Sequence, residues 1–100
     1  MSKFLVLWTM EPTLILADRE EELKSWISGL EAVKAGMRAG LVKDFGVFAG
    51  GMCGYGIWEV ASQAELFTHL LRWMPGVNME VEAVVTLEES IEAIKKAAQK

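Results

Sequence analysis

The stretch Phe4-Leu5-Val6-Leu7-Trp8 is apolar at every position, and this pattern decides how the chain can fold. Side chains of a β-strand point alternately to its two faces, so a strand without polar positions requires apolar cover on both sides. Whatever sheet contains this strand must therefore be covered on one face by helices of the same chain and on the other by something else.

Capping signals and hydrophobic spacing predict the other elements. We expect four strands, at about Lys3–Met10, Leu41–Ala49, Gly54–Val60 and Asn78–Thr86. Capping-box patterns that begin at Asp18, Ser62 and Thr86 predict three helices, the second of which ends near Met74, before Pro75-Gly76. Glycines between the second and third strands predict a β-hairpin.

This order predicts an α+β, ferredoxin-like βαββαβ fold with a four-stranded antiparallel sheet and an extra C-terminal helix. Strands are expected in the order 4-1-3-2, and right-handed crossovers place both main helices on one face. The opposite face stays apolar on at least half of strands one to three. We therefore expect residues 1–100 to form a single domain that pairs back to back with a second copy, as a homodimeric α/β barrel.

Composition excludes several classes of protein. The 100 residues carry a formal charge of −4, and Lys95, Lys96 and Lys100 form the only tight basic group, which is typical of a solvated helix end. Nucleic-acid binding is not expected, because it normally requires a clustered basic surface. A membrane span is not expected either, since no apolar run approaches ~18 residues.

The pattern of cysteine use and the start of the chain indicate a cytoplasmic protein. Cys53 is the single cysteine, which excludes an internal disulfide and fits a reducing compartment. The start Met1-Ser2-Lys3 lacks the features of a secretory signal.

No cofactor or metal is expected. His69 is the only histidine, lies off the centre of its helix's apolar stripe and is predicted to be a surface residue. One histidine and one cysteine supply no recognisable set of metal ligands. Gly50-Gly51, Gly54 and Gly56 lead into a strand, so they form no phosphate-binding motif.

Glu59 interrupts an otherwise apolar strand and has two interpretations. If positions that sum to roughly 102–104 pair in the hairpin, Glu59 lies near Lys43 and forms a cross-strand ion pair. Alternatively, Glu59 is a carboxylate inside a dimer cavity, where burial raises its pKa and makes it a general base.

One end of the sheet is a candidate ligand site. Antiparallel order gathers polar and aromatic residues there, below the apolar loop Leu14-Ile15-Leu16: Trp8, Thr9, Phe48, Tyr55, Asn78 and Glu80. An aromatic-lined cleft with a few polar groups is typical of small-molecule sites. The alternative is that the aromatic side chains fill a dimer core, and the strand register decides between the two.

Three segments carry a resemblance that spans most of the chain: Gly54–Val60, Leu71–Met74 and Met79–Val85. The chain resembles the dimeric α/β-barrel superfamily, which includes small monooxygenases, muconolactone isomerase and stress-responsive barrel proteins, and more closely an uncharacterised prokaryotic family within it. The resemblance implies the fold and a homodimer, and leaves the reaction open. The catalytic histidine of the isomerase and monooxygenase relatives has no counterpart on these strands.

Three functions remain open from the sequence. The leading hypothesis is a homodimer that binds a small apolar or aromatic molecule, with Trp8, Phe48, Tyr55 and Asn78 as ligand-binding candidates. The second is a cofactor-free monooxygenase- or isomerase-like enzyme that uses a buried glutamate, Glu59 or Glu80, with Tyr55. The third is a structural module whose open sheet face docks a protein partner.

Overall fold

Four antiparallel strands form one sheet in the computed structural model of the chain, which describes residues 1–99 and leaves Lys100 outside. The elements follow the predicted order: β1 Ser2–Met10, α1 Arg19–Arg38, β2 Val42–Val47, β3 Cys53–Val60, α2 Gln63–Leu70, β4 Val77–Val84 and α3 Leu87–Ala98. Short 3₁₀ turns at Pro12–Leu14 and Leu71–Trp73 complete them.

The sheet order is β2-β3-β1-β4, which confirms the predicted arrangement. The strand with apolar residues throughout, β1, lies in the interior of the sheet between β3 and β4. The α+β, ferredoxin-like fold with an additional C-terminal helix is therefore confirmed.

The helix ends follow the capping signals with two differences. Asp18, Ser62 and Thr86 each cap a helix, but both bonds of a capping box form only between Thr86 and Glu89. The second helix ends at Leu70, earlier than predicted, and is followed by the 3₁₀ turn Leu71–Trp73. This turn ends at Met74, which precedes a proline and is extended (φ −87°, ψ 147°).

The register of the β2–β3 hairpin differs from the prediction. Phe45 lies opposite Gly56, and the pairing shifts between Val42 and Asp44, which leaves Lys43 as the extra residue of a bulge. Glu59 is consequently not opposite Lys43. Its backbone N–H donates to the carbonyl of Leu41 at 2.9 Å. The predicted ion pair between Glu59 and Lys43 is wrong, and the residue opposite Glu59 on β1 is Lys3.

The helix-covered face of the sheet holds the small hydrophobic core. Phe4, Val6 and Val60 point to this face and cluster with Leu66 and Leu70 of α2. Together with Val42 they are the six buried hydrophobic side chains of residues 1–99.

We call the opposite, helix-free side of the sheet the open face. Strand register and side-chain alternation assign its members. They are Lys3, Leu5, Leu7 and Thr9 of β1; Asp44 and Gly46 of β2, with Phe48 just beyond it; Cys53, Tyr55, Ile57 and Glu59 of β3; and Asn78, Glu80, Glu82 and Val84 of β4. Apolar side chains run along its central strands, and its charges lie at the ends and on the edge strands.

The isolated chain is extended for its size. Its radius of gyration is 16.4 Å, and its longest dimension is 62 Å. A compact domain of this length has a radius of gyration of about 13 Å. Helix α3 contributes to this shape, since Leu87 and Ile94 remain 77% and 70% exposed.

Candidate functional site

An apolar cavity of about 360 Å³ opens between α1, the turn that follows α2 and the covered face of the sheet. We call it the tryptophan cavity, because all four tryptophans of the chain line it: Trp8, Trp26, Trp58 and Trp73. Most of its other lining side chains are aliphatic or aromatic: Val6, Met10, Leu14, Leu16, Leu30, Val33, Val42, Phe45, Val47, Leu70, Val77 and Met79.

Two parallel rings form part of the floor of the cavity. Trp8 and Phe45 stack with their centroids 5.6 Å apart and their planes within 5°. The β3 strand between them carries Gly54 and Gly56 at the positions that face the cavity. A Cβ atom on Gly54 would lie 2.5 Å from Cζ2 of Trp8 and 2.1 Å from the carbonyl oxygen of Gly46. Glycine is therefore required there for the indole ring and the neighbouring strand to approach.

One wall consists of α1 and the loop before it. The carboxylate of Glu22 accepts hydrogen bonds from the indole N–H of Trp26 and, at 2.8 Å, from the backbone N–H of Leu16. These bonds attach the apolar loop that was predicted to lie above the sheet end, and Leu14 and Leu16 of this loop line the cavity.

The opposite wall is the 3₁₀ turn after α2. Trp73 packs against α1 at Gly29, where a Cβ atom would lie 3.2 Å from Cζ3 of the indole. The guanidinium carbon of Arg72 lies 6.0 Å from the centroid of the Trp73 ring, within the range of a cation–π contact. Arg72 therefore places a positive charge at the edge of a mostly apolar cavity.

Trp58 is supported from α2 by the only histidine. The rings of Trp58 and His69 stack with centroids 5.8 Å apart, and Nε2 of His69 lies 3.7 Å from Oε1 of Glu65. His69 was predicted to be a surface residue, but its side chain is partly covered because the large indole of Trp58 extends to it.

The sequence-predicted ligand residues share one end of the sheet but not one face. Trp8 lies on the covered face and lines the tryptophan cavity. Its neighbour Leu7 is opposite Tyr55, so Tyr55 lies on the open face. A shallow hollow of about 320 Å³ at that end is lined by Leu7, Trp8, Thr9, Phe48, Cys53, Gly54, Asn78, Met79 and Glu80.

All three ligand-binding candidates on the open face, Phe48, Tyr55 and Asn78, have contacts within the chain. The side-chain amide of Asn78 donates to Oε2 of Glu11 at 2.9 Å, which ties β4 to the loop after β1. This bond, with two further ones from the hydroxyl and the backbone N–H of Thr13, lowers the pKa of Glu11. Phe48 and Tyr55 stack with centroids 6.3 Å apart.

The two glutamates suggested by the sequence are far apart. Glu59 is opposite Lys3 and Glu80 is opposite Leu7, so four residues of β1, about 13 Å of extended strand, separate them. The hydroxyl of Tyr55 donates to Oδ2 of Asp44 at 2.8 Å, on the β2 side, whereas Glu80 lies on the β4 side.

The bond to Asp44 raises the pKa of Tyr55, because an anionic acceptor favours the protonated phenol. Tyr55 is the only tyrosine, so its titration can be followed directly. We expect the absorbance change near 295 nm to occur above the ordinary tyrosine pKa of about 10. Asp44→Asn should move the transition to lower pH. Glu82→Gln, which removes a charge from the same face, should leave it unchanged; a wild-type transition at the ordinary value would contradict the assignment.

No group of three or more His, Cys, Asp or Glu side chains within residues 1–99 is arranged to hold a metal ion. The helices in that range are also too short or too polar to cross a membrane.

Sequence reasoning did not find the residues that form the tryptophan cavity, apart from Trp8 and the loop Leu14–Leu16. No role in a ligand site was predicted for Trp26, Trp58, Arg72 or Trp73. One signal was available: glycine recurs at alternate positions of β3, where a flat aromatic ring from a neighbouring strand can lie against the backbone.

Comparison with known proteins gives one family. A family model described as "Domain of unknown function (DUF3303)" matches residues 2–98. No curated protein matches the chain. The match covers almost the whole sequence, and its description specifies neither a reaction nor a ligand.

Proposed function

The chain belongs to the family described as Domain of unknown function (DUF3303), and we propose that it is a homodimeric domain that binds a small apolar or aromatic molecule. The ligand occupies the tryptophan cavity of each subunit, and the open face pairs with a second copy. This arrangement is that of the dimeric α/β-barrel superfamily, with residues 1–100 as one domain. The single reduced cysteine, Cys53, supports a cytoplasmic location.

The observation that carries the ligand proposal is the convergence of all four tryptophans on one cavity. Its volume of about 360 Å³ falls in the range of ligand pockets, ~300–1,000 Å³, which are mostly apolar with a few polar groups. Indole rings bind flat aromatic molecules by stacking as well as by the removal of apolar area from water. Ligand binding would also cover part of a core in which only six hydrophobic side chains are buried among the described residues.

The proposed site differs in position from the sequence-based one. Trp8 remains a ligand-binding candidate, because it lies in the floor of the cavity. Phe48, Tyr55 and Asn78 are assigned instead to the open face, where they would meet the partner subunit.

Exposed area supports the homodimer. The chain exposes 7158 Å². A compact monomer of 11.1 kDa is expected to expose about 5,700 Å². The excess, about 1,500 Å², includes the exposed helix α3 and is larger than the ~800 Å² that each partner buries in a standard interface.

The distribution of residues on the open face also supports pairing. Leu5, Leu7 and Ile57 form a continuous apolar strip across β1 and β3, because Leu5 is directly opposite Ile57. Glu80 and Glu82 lie on β4, and Asp44 lies on β2, both of which are edge strands. An apolar centre with a charged periphery is the usual anatomy of a protein–protein interface.

Direct binding tests the ligand proposal. We expect 2-naphthamide, a neutral fused-ring probe, to bind with a dissociation constant below about 1 mM by isothermal titration calorimetry. Leu30→Trp adds volume to a side chain that lines the cavity and should weaken binding at least about tenfold.

Ile27→Trp is the matched control for this substitution. Ile27 lies on the same helix, is 62% exposed and is not among the side chains that line the cavity. It should leave binding of 2-naphthamide within about twofold of the wild type. No binding to the wild type, or equal loss in both variants, would overturn the assignment of the ligand to this cavity.

A further inference from the structure

We infer that the ligand of the tryptophan cavity has an anionic head group, with a carboxylate as the model chemistry, which Arg72 binds at the cavity edge. This inference rests on the proposed function and specifies the class of ligand. It follows from the charged side chains that line the cavity: Glu11, Glu22 and Arg72.

Both acidic side chains already accept hydrogen bonds from donor groups of the chain itself. One oxygen of Glu11 accepts from Thr13 and the other from the amide of Asn78. The two oxygens of Glu22 accept from the backbone of Leu16 and from the indole of Trp26. These bonds hold the loop and α1 in place, and they use part of the acceptor capacity of both carboxylates.

Arg72 differs from the two acidic side chains, because its hydrogen-bond donors are available to a ligand. Its guanidinium carries five N–H donors, and no carboxylate of residues 1–99 lies within ion-pair distance of it. The guanidinium is positioned by the Trp73 ring, which in turn packs against α1 at Gly29. A cation with unused donors is thus held beside the space that the ligand would fill.

The chemistry of guanidinium favours a planar oxyanion. Its parallel N–H groups match the two oxygens of a carboxylate, and such charge-assisted pairs are about twice as strong as neutral hydrogen bonds. The chain as a whole carries a charge of −4, which repels anions at long range. A preference of the cavity for an anionic over a neutral ligand would therefore have to come from the local charge of Arg72.

Two probes that differ only in the head group test this inference. 2-Naphthoate is a carboxylate, and 2-naphthamide is its neutral counterpart with the same ring system. We expect 2-naphthoate to bind the wild-type protein about tenfold more tightly at pH 7 and low salt. Arg72→Gln should abolish this preference, because 2-naphthoate loses about tenfold more affinity than 2-naphthamide does, whereas Arg72→Lys should retain part of the preference because it keeps the charge without the planar fork.

Lys24→Gln provides the control for loss of one positive charge. Lys24 lies on α1, pairs with Glu20 at 3.9 Å and is not part of the cavity lining, so the preference for 2-naphthoate should persist in this variant. Equal affinity of the wild type for both probes would overturn the inference and leave the proposed function intact. A preference that survives in Arg72→Gln would overturn the role of Arg72. Failure of both probes to bind would overturn the proposed function itself.

Discussion

Gly54→Ala should lower the free energy of unfolding by ~3 kcal/mol, a large part of the stability of this small domain. The added Cβ atom would lie 2.1 Å from the backbone oxygen of Gly46 and 2.5 Å from Trp8. A rotamer change can relieve contact with a side chain but not with the backbone of the adjacent strand, so β2 would have to move away from β3. Overpacking of this kind costs ~3 kcal/mol or more. With six hydrophobic side chains buried in the described part of the chain, we expect stability near the lower end of the usual ~5–15 kcal/mol.

Gly50→Ala is the matched control. A Cβ atom on Gly50 would have no neighbour within 4 Å, and the residue does not occupy the left-handed region, unlike Gly51 (φ 79°). The substitution should leave stability unchanged or raise it by ~0.4–1 kcal/mol through the unfolded state. The urea concentration at the midpoint of unfolding is measured for each variant by circular dichroism. Equal midpoints for Gly54→Ala and Gly50→Ala would contradict the packing described for β3.

Leu7→Glu should convert the proposed homodimer into a monomer. Leu7 lies on the open face between Tyr55 of β3 and Glu80 of β4. The new carboxylate would be buried at the interface without a partner of opposite charge, and it would lie beside Glu80. Loss of a buried apolar contact together with an unpaired charge costs ~3–5 kcal/mol, which weakens association at least about a hundredfold. Size-exclusion chromatography with light scattering measures the effect.

Phe67→Glu makes the same change of chemistry on a different surface. Phe67 lies on α2 and is 55% exposed, so the dimer should persist in this variant. A wild-type protein that remains a monomer at high concentration would contradict the homodimer. The open face, together with the exposed Leu87 and Ile94 of α3, would then favour the remaining hypothesis, a module that docks a different protein.

Much of the fold could be predicted, because it depends on local signals. The run from Phe4 to Trp8 indicated a strand that needs cover on both faces, and the structure places it inside the sheet. Ser62 and Thr86 marked where α2 and α3 begin. These features depend on residues that are close together in the sequence, so they can be predicted from one sequence alone.

The hairpin register could not be predicted, because it depends on the geometry of its turn. Met52 adopts a positive φ of 70°, which is uncommon for a residue other than glycine. Its carbonyl accepts a hydrogen bond from the backbone N–H of Met10 at 2.7 Å, a contact with a residue distant in sequence. The bulge at Lys43 then shifts the pairing again.

Of the four ligand-binding candidates predicted from the sequence, only Trp8 lines the tryptophan cavity that we propose as the site. An aromatic-lined site near Trp8 was expected, and Trp8 lines the tryptophan cavity. Tyr55 was grouped with it, but the register sets Tyr55 opposite Leu7 rather than Trp8, and neighbouring residues of a strand point to opposite faces. Trp26 and Trp73 reach the same space from separate helical segments. Only the tertiary fold brings them together.

The two edge strands limit how copies of this protein can aggregate. Exposed edges with free backbone donors and acceptors favour lateral growth of sheets into fibrils. On one edge Glu80 and Glu82 would bring like charges together between adjoining copies, and on the other the bulge at Lys43 breaks the regular spacing of the backbone groups. Edge-to-edge addition of further copies is thus disfavoured at both edges of the sheet, even though its open face remains apolar and able to associate.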